Sequence, residues 1–254
     1  IAMGDLEFFD CNCSFGMRSI LYPESFYKVK DLVKKMDRYG IKRALVYHSM
    51  AREYAPSVGN RMLMDEIKVY PFLIPLWTVM PHHTQEFPEP YRLIEQMKAY
   101  GVKAVTMFPG AMDHAYSMAE WNCGQLFEAL EEHGIPLILG FDQTTWNELY
   151  DLLSNHPKLN LILTNVNYRM DRNIYVLFRM FENLFIETRG YQVYQGIEQI
   201  CNRFGACRLI FGSGMPVYSG SAAVAMINYA RISDKEKEMI AYRNLETLIG
   251  EVKL

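Results

Sequence analysis

Tyr100-Gly101-Val102-Lys103-Ala104-Val105 places a glycine between the end of a helical pattern and the start of an apolar strand. The same arrangement recurs at Tyr39-Gly40-Ile41, His133-Gly134-Ile135 and Phe204-Gly205-Ala206. Glycine ends helices at such joints because it adopts the left-handed conformation without a clash at Cβ. A joint that repeats in this way predicts a chain of βα units.

Short runs rich in apolar, β-branched and aromatic residues predict about eight strands. They are Leu6–Asp10, Arg43–His48, Tyr70–Leu76, Ala104–Phe108, Pro136–Leu139, Leu159–Thr164, Leu184–Glu187 and Leu209–Gly212. Apolar residues at three- and four-residue spacing predict helices between them. These helices are Phe26–Tyr39, Tyr91–Tyr100, Glu120–His133, Trp146–Asn155, Tyr191–Phe204 and Ser219–Ala230.

About eight such units in roughly 250 residues are typical of a (β/α)8 TIM barrel. A doubly wound open sheet is the alternative, but its first strand is usually followed by a glycine-rich phosphate loop. The segment Asn12-Cys13-Ser14-Phe15-Gly16 is not such a loop. Because no linker or break in composition is visible, we expect one barrel domain over residues 1–254. The tail Asp234–Leu254 is expected to form one or two helices that close the barrel.

The composition limits the kinds of binding partner and the cellular compartment that we expect. A net charge of −3 without a long basic run argues against nucleic acid, and no apolar stretch is long enough for a membrane span. The start, Ile1-Ala2-Met3-Gly4, lacks the basic and apolar regions of a signal peptide. We therefore expect a cytoplasmic protein with reduced thiols, a small-molecule ligand and no cofactor. A homo-oligomer is permitted by the apolar outer helices but not required.

Two of the five cysteines, Cys11 and Cys13, have two possible roles. They can be soft metal ligands, or small apolar side chains packed on a strand. In a regular strand they share one face, opposite to Asn12. Packing is the preferred interpretation because free cysteines are among the most buried residues.

Several stretches resemble the amidohydrolase-related TIM-barrel family, which is described as metal-dependent hydrolases. The most specific is Arg208-Leu209-Ile210-Phe211-Gly212-Ser213 with Pro216. Others are Phe9-Asp10-Cys11-Asn12, the joints at Gly40 and Gly101, Leu161-Ile162-Leu163-Thr164-Asn165 and Asn244-Leu245. The resemblance covers nearly the whole chain. It implies a TIM barrel and a hydrolase site at the carboxyl ends of the strands.

The resemblance also implies positions for metal ligands, which are normally histidines and one aspartate. In this sequence those positions fall on Asn12, Ser14, the vicinity of Gly140, Asn165 and Gly214. None of these side chains is an imidazole or a carboxylate, and catalytic zinc needs about three protein ligands. We therefore expect no bound metal at this place.

Polar side chains at the predicted strand ends are the candidates for chemistry. One hypothesis makes Glu187, His48 or Asp142 a general base. Arg189 and Arg169 would bind an anionic group, with Asn165, Asn12, Ser14 and Trp77 completing the substrate site. The alternatives are a buried ion pair of Glu187 with Arg169 or Arg189, and a helix N-cap at Asp142.

Three functions remain open. The first is a hydrolase that acts on a small carboxylated molecule without a metal, as lactonase-like members of the resembling family do, with arginines holding the substrate and a protein base activating water. The second is a small-molecule-binding or regulatory protein on the same scaffold. The third is a metallohydrolase with rearranged ligands. It requires that some of the six histidines of the chain lie at the barrel mouth and bind the metal.

Overall fold

A computed structural model describes residues 6–20, 22 and 25–254. The first five residues, Leu21, Pro23 and Glu24 lie outside the described part, and with them the expectation about the Ile1–Gly4 start. Eight parallel strands lie side by side in sequence order. The strands are β1 (Phe8–Phe15), β2 (Ile41–His48), β3 (Leu73–Thr78), β4 (Ala104–Met107), β5 (Leu137–Gly140), β6 (Leu161–Thr164), β7 (Leu184–Glu187) and β8 (Leu209–Ile210).

Helices follow the strands and cover the outside of the sheet. They are α1 (Val29–Tyr39), α2 (Ser49–Glu53), α3 (Pro56–Ile67), α4 (Pro90–Tyr100), α5 (Glu120–Glu132), α6 (Trp146–Asn155), α7 (Asp171–Met180), α8 (Gly196–Phe204), α9 (Gly220–Asn228), α10 (Asp234–Glu238) and α11 (Asn244–Gly250). One π-helical turn, Met239–Arg243, joins the last two. Among the described residues, no helix has the length and apolar character needed to cross a bilayer.

The last strand and the first strand meet through backbone hydrogen bonds. The Cys11 amide donates to the Phe211 carbonyl at 3.0 Å, and the Ser14 amide donates to the Met215 carbonyl at 2.8 Å. The order of the strands and these bonds make a nearly closed (β/α)8 barrel, which confirms the predicted fold class.

Two buried clusters fill the molecule. The inner cluster lies inside the barrel, where alternate strand residues such as Phe9, Leu76 and Ile162 meet Leu245 and Leu248 of α11. The outer cluster packs the opposite strand faces against the helices. Every strand therefore buries both faces, which explains the nearly continuous apolar runs of β5 and β6.

The first strand differs most from its prediction, because it continues to Phe15 instead of ending at Asp10. Its pairing with β2 is irregular between Asp10 and Cys13. This irregularity breaks the two-residue alternation, so Cys11 belongs to the inner cluster and Cys13 to the outer one. The expectation that the two cysteines share a face was wrong. Both are buried free thiols.

The glycine joints are confirmed at Gly40, Gly101 and Gly134, with φ of 74°, 67° and 64°. The fourth differs, because Gly205 has φ 89° and ψ 152°, outside the left-handed helical region. The helices α2, α3 and α7 were not predicted. Gly59 within α3 obscures its pattern, yet a Cβ there would lie 2.0 Å from the Ala51 amide nitrogen, so α2 and α3 need this glycine to approach.

Candidate functional site

A cavity of about 540 Å³ opens at the carboxyl ends of the strands, a size suited to a small molecule. Its lining includes the ends of most strands and the loops that follow β1, β4, β5 and β8. The charged lining residues are Arg18, Arg52, Glu53, Asp113, Asp142 and Arg189. TIM barrels bind their ligands at this end because all the βα loops meet there.

Arg18 reaches the cavity from the loop after β1. Its Nη2 donates to Ser14 Oγ at 2.7 Å and to Tyr47 Oη at 3.3 Å, while its Nε is buried and has no hydrogen-bond partner among the residues that the structure describes. Among the described residues, no carboxylate lies within ion-pair distance of Arg18. Within the part of the chain that the structure describes, Arg18 therefore brings to the cavity a positive charge that no carboxylate pairs with.

Tyr47 is the next-to-last residue of β2, where it pairs with Ser14 of β1, and its ring packs on Phe108 with centroids 5.3 Å apart. Burial alone would raise the pKa of its phenol, but the guanidinium groups of Arg18 and Arg52 lower it. The Tyr47 phenol therefore holds its proton less tightly than an ordinary tyrosine does.

Arg52 in α2 is neutralised by the loop after β4. Its Nε and Nη2 donate to the two carboxylate oxygens of Asp113, at 2.7 and 3.0 Å. Gln143 donates to the same carboxylate at 2.9 Å, and these bonds lower the pKa of Asp113 despite its partial burial. These hydrogen bonds hold α2 and the segments that follow β4 and β5 in fixed positions relative to one another.

Arg189 follows β7 and is almost completely buried. Its Nε lies 3.3 Å from Glu187 Oε1, its Nη2 donates to Asn165 Oδ1, and its guanidinium carbon lies 3.9 Å from the centre of the Tyr218 ring. Asn165 in turn donates to Asp142 Oδ1. One connected polar network therefore joins the ends of β5, β6 and β7.

Glu187 has no exposed surface and does not line the cavity. It lies behind Asn12 and Arg189. Its Oε1 accepts from Asn12 Nδ2 at 3.2 Å, whereas its Oε2 has no partner in the described part of the chain. Burial raises the pKa of Glu187, and the charge of Arg189 only partly offsets that effect. The structure thus pairs Glu187 with Arg189 and not with Arg169.

Asp142 lines the cavity and does not cap α6. The N-cap is Thr145, whose Oγ1 accepts from the Glu148 amide at 3.3 Å, and the Glu148 carboxylate accepts from the Thr145 amide at 2.9 Å. The N-cap interpretation of Asp142 was therefore wrong, because Thr145 and Glu148 form a complete capping box.

The structure does not bring His48, Trp77 or Arg169 into the cavity. His48 ends β2 facing the helices, where its Nε2 lies 3.4 Å from Glu66 Oε1, and burial lowers its pKa. Trp77 belongs to the outer cluster, because its neighbour Leu76 occupies the inward face. Arg169 is exposed on a short turn beyond β6. Sequence reasoning could not distinguish the two faces of these strand ends.

The sequence did not predict Arg18, Arg52 or Asp113 as residues of the site. Arg18 lies beyond the predicted end of β1, and Arg52 lies on a helix that was not predicted. Asp113 lies in a loop without a periodic pattern. The only signal in the sequence was their position after strand ends, which many solvated residues share.

The sequence profile of the amidohydrolase family matches residues 36–250. The chain belongs to this family. No curated protein matches the chain.

Solved structures with the same barrel extend the comparison to nearly the whole chain. One is 2,6-dihydroxybenzoate decarboxylase from Rhizobium, at 16% identity and TM-score 0.76 over 96% of this chain and 99% of that one. Another is 5-carboxyvanillate decarboxylase from Novosphingobium aromaticivorans, complexed with manganese and a nitrobenzoic acid, at 15% identity and TM-score 0.76 over 97% of both chains. A third is an uncharacterized TIM-barrel protein from Bordetella bronchiseptica, at 19% identity and TM-score 0.74 over 97% and 99%. At these identities the likeness shows the fold alone.

The positions at which the amidohydrolase resemblance predicts metal ligands have other contacts in this chain. Asn12 donates to Glu187, Ser14 accepts from Arg18, and Asn165 bridges Asp142 and Arg189. The Asp10 carboxylate accepts from the Asn12 and Ser213 amides, both at 2.9 Å, and from Cys13 Sγ. Within the described residues, no three His, Cys, Asp or Glu side chains come together as a potential metal-binding group.

Proposed function

We propose that this member of the amidohydrolase family hydrolyses an ester or lactone bond in a small carboxylated molecule, without a resident metal ion. The observation that carries the proposal is Arg18, a cavity guanidinium without a carboxylate partner among the described residues. The other two cavity arginines each have a carboxylate partner. A carboxylate of the substrate would supply the missing negative charge.

The donor set of the barrel mouth does not fit a catalytic metal ion. Asn12, Ser14 and Asn165 offer only amide and hydroxyl oxygens, and Gly214 offers no side chain. The nearby Asp10 carboxylate is fully buried and accepts three hydrogen bonds from the protein. Because catalytic zinc needs about three nitrogen, sulfur or carboxylate ligands, no step of the proposed reaction passes through a metal.

Asp142 is the proposed base. It alone of the three sequence-predicted bases lines the cavity, and its hydrogen bonds from Asn165 and Gln143 fix the carboxylate in place. It would take a proton from water as the water oxygen attacks the carbonyl carbon. The tetrahedral intermediate then expels the alkoxide, which takes the proton back.

The first test separates binding from turnover. Benzoate and neutral benzamide serve as binding probes, and monomethyl phthalate and neutral dimethyl phthalate serve as ester substrates. We expect binding of benzoate but not benzamide, and hydrolysis of the anionic ester only. Arg18→Gln should weaken benzoate binding about 10-fold or more, the value of a charge-assisted hydrogen bond. Asp142→Asn should lower kcat about 100-fold with benzoate binding retained.

The matched control is Arg169→Gln, which removes an equal charge from an exposed residue outside the cavity. It should change neither binding nor hydrolysis. Equal losses in Arg18→Gln and Arg169→Gln would refute the assigned anion site. Release of carbon dioxide from benzoates without ester hydrolysis would refute the reaction class, and two of the three solved structures compared above are decarboxylases.

A non-catalytic binding protein is the second candidate, and the complete burial of Glu187 favours it, because that carboxylate cannot reach a ligand without movement. It predicts stabilisation by benzoate without turnover of any ester. A ligand at 100 times its dissociation constant adds about 2.7 kcal/mol to the free energy of unfolding.

A further inference from the structure

The Arg189 guanidinium lies among the residues at which the amidohydrolase resemblance predicts metal ligands. Its Nη2 donates to Asn165 Oδ1. Its Nε and the side-chain Nδ2 of Asn12 both donate to Glu187 Oε1. Two of the predicted ligand positions, Asn12 in β1 and Asn165 after β6, therefore meet at the Glu187–Arg189 pair.

Gly214 is the predicted ligand position after β8, and no side chain fits there while Arg189 is in its observed place. Gly214 has φ +67°, and a Cβ built on it would lie 2.7 Å from Arg189 Cδ and 2.8 Å from Arg189 Nε. Real Cβ atoms do not approach other heavy atoms so closely. An aspartate at 214 and the observed Arg189 side chain would therefore compete for one volume.

The guanidinium is held rigidly at the cavity wall. The Tyr218 ring covers it at 3.9 Å, Glu187 neutralises it from behind, and the side chain is only 9% exposed. A cation fixed in a partly desolvated place interacts strongly with a developing negative charge, because no solvent has to reorganise.

We propose that Arg189 supplies the positive charge that polarises the carbonyl group of the ligand, in the place where a metal ion would otherwise act as a Lewis acid. The inference rests on the proposed hydrolysis for its chemical role. As water attacks the carbonyl carbon and its proton passes to Asp142, the electron pair of the carbonyl bond moves to the oxygen. That oxygen is then hydrogen-bonded by Arg189, and collapse of the intermediate returns the pair as the alkoxide leaves.

The test uses para-acetylbenzoate, whose carboxylate is a ligand for Arg18 and whose ketone cannot be hydrolysed. Infrared difference spectra report the ketone stretching frequency, which falls when a cation polarises the carbonyl group. We expect a lower frequency for the ketone bound to the unmodified protein, and loss of that shift in Arg189→Met. Benzoate binding, which depends on Arg18, should persist in the variant.

Two further variants keep the test decisive. Arg189→Met leaves Glu187 without its cation, so Glu187→Gln/Arg189→Met removes both charges and should also bind para-acetylbenzoate without the shift. Arg189→Lys should retain part of the shift because a cation remains. With an ester that is hydrolysed, Arg189→Met should lower kcat about 100- to 1000-fold, as the loss of one oxyanion donor does.

The infrared result separates this inference from the proposed function. A shift without ester hydrolysis would support Arg189 and refute hydrolysis. A frequency shift that persists in both Met variants would overturn the role of Arg189. So would a shift that appears only after zinc chloride is added to the unmodified protein.

Discussion

Glu187 is a carboxyl group without exposed surface in a barrel interior otherwise lined mainly by aliphatic and aromatic side chains. Its burial raises its pKa more than Arg189 and Asn12 lower it. The folded protein therefore holds this proton more tightly than the unfolded chain does. The ionised form of Glu187 therefore lowers the free energy of unfolding. The ion pair with Arg189 makes this loss smaller but does not remove it.

Glu187→Gln tests this balance through pH. Because the folded-state pKa is raised above the ordinary value of 4.5, the contribution of Glu187 to stability falls as pH rises from about 4.5 through the folded-state pKa, and is constant above it. The free energy of unfolding of the unmodified protein minus that of Glu187→Gln should decline over this window. Urea denaturation at a series of pH values measures it. A difference that grows with pH would mean that Arg189 dominates.

At the residue scale, the sequence predicted which polar residues lie at strand ends. It did not predict whether their side chains face the cavity or the helices. Asn12, Ser14, Asp142, Asn165 and Arg189 line the cavity, as the strand-end argument requires. His48 and Trp77 have the same sequence signal and face the helices, because one residue of register reverses the face of a strand.

At the element scale, a short sequence motif decides which residue caps the N-terminus of α6. Asp142 and Thr145 both precede the helix, and only Thr145 has a glutamate three residues later. That spacing forms the capping box, which leaves Asp142 free to line the cavity. The spacing between Thr145 and Glu148 is therefore sufficient to identify Thr145 as the cap instead of Asp142.

We predict that Thr145→Ala lowers the free energy of unfolding by about 1 kcal/mol, the usual value for a lost N-cap. Asp142→Asn should change it by no more than about 0.5 kcal/mol, because an exposed residue that caps nothing contributes little to stability. Chemical denaturation of both variants measures the contrast. A larger loss in Asp142→Asn than in Thr145→Ala would restore Asp142 as the cap.

At the scale of the whole molecule, α11 closes the barrel at the end where the strands begin. Leu245 and Leu248 belong to the inner cluster together with Phe9 and Ile162. Asn244 also donates to the carbonyls of Ala206 and Leu209, at 2.8 and 2.9 Å. The C-terminal segment thus completes the core and attaches to β8, opposite the cavity.

Leu245→Ala should lower the free energy of unfolding by about 2–5 kcal/mol, because it opens a hole in the barrel interior. Thr247→Ala, an exposed position two residues later on the same helix, is the control and should stay within about 0.5 kcal/mol. Thermal and urea denaturation check both variants. Similar small effects would show that α11 is not part of the core.

The sequence by itself determined the repeating βα architecture, because apolar periodicity and helix-ending glycines are local properties of the chain. It also gave Asn12, Ser14, Asn165 and Gly214 at positions where the family resemblance predicts metal ligands. Only the tertiary structure decided that Arg18 lacks a carboxylate partner among the described residues while Arg52 and Arg189 have one, and that Arg189 fills the space beside Gly214. Such pairings join residues far apart in the chain, and no local periodicity encodes which side chains meet when the barrel closes.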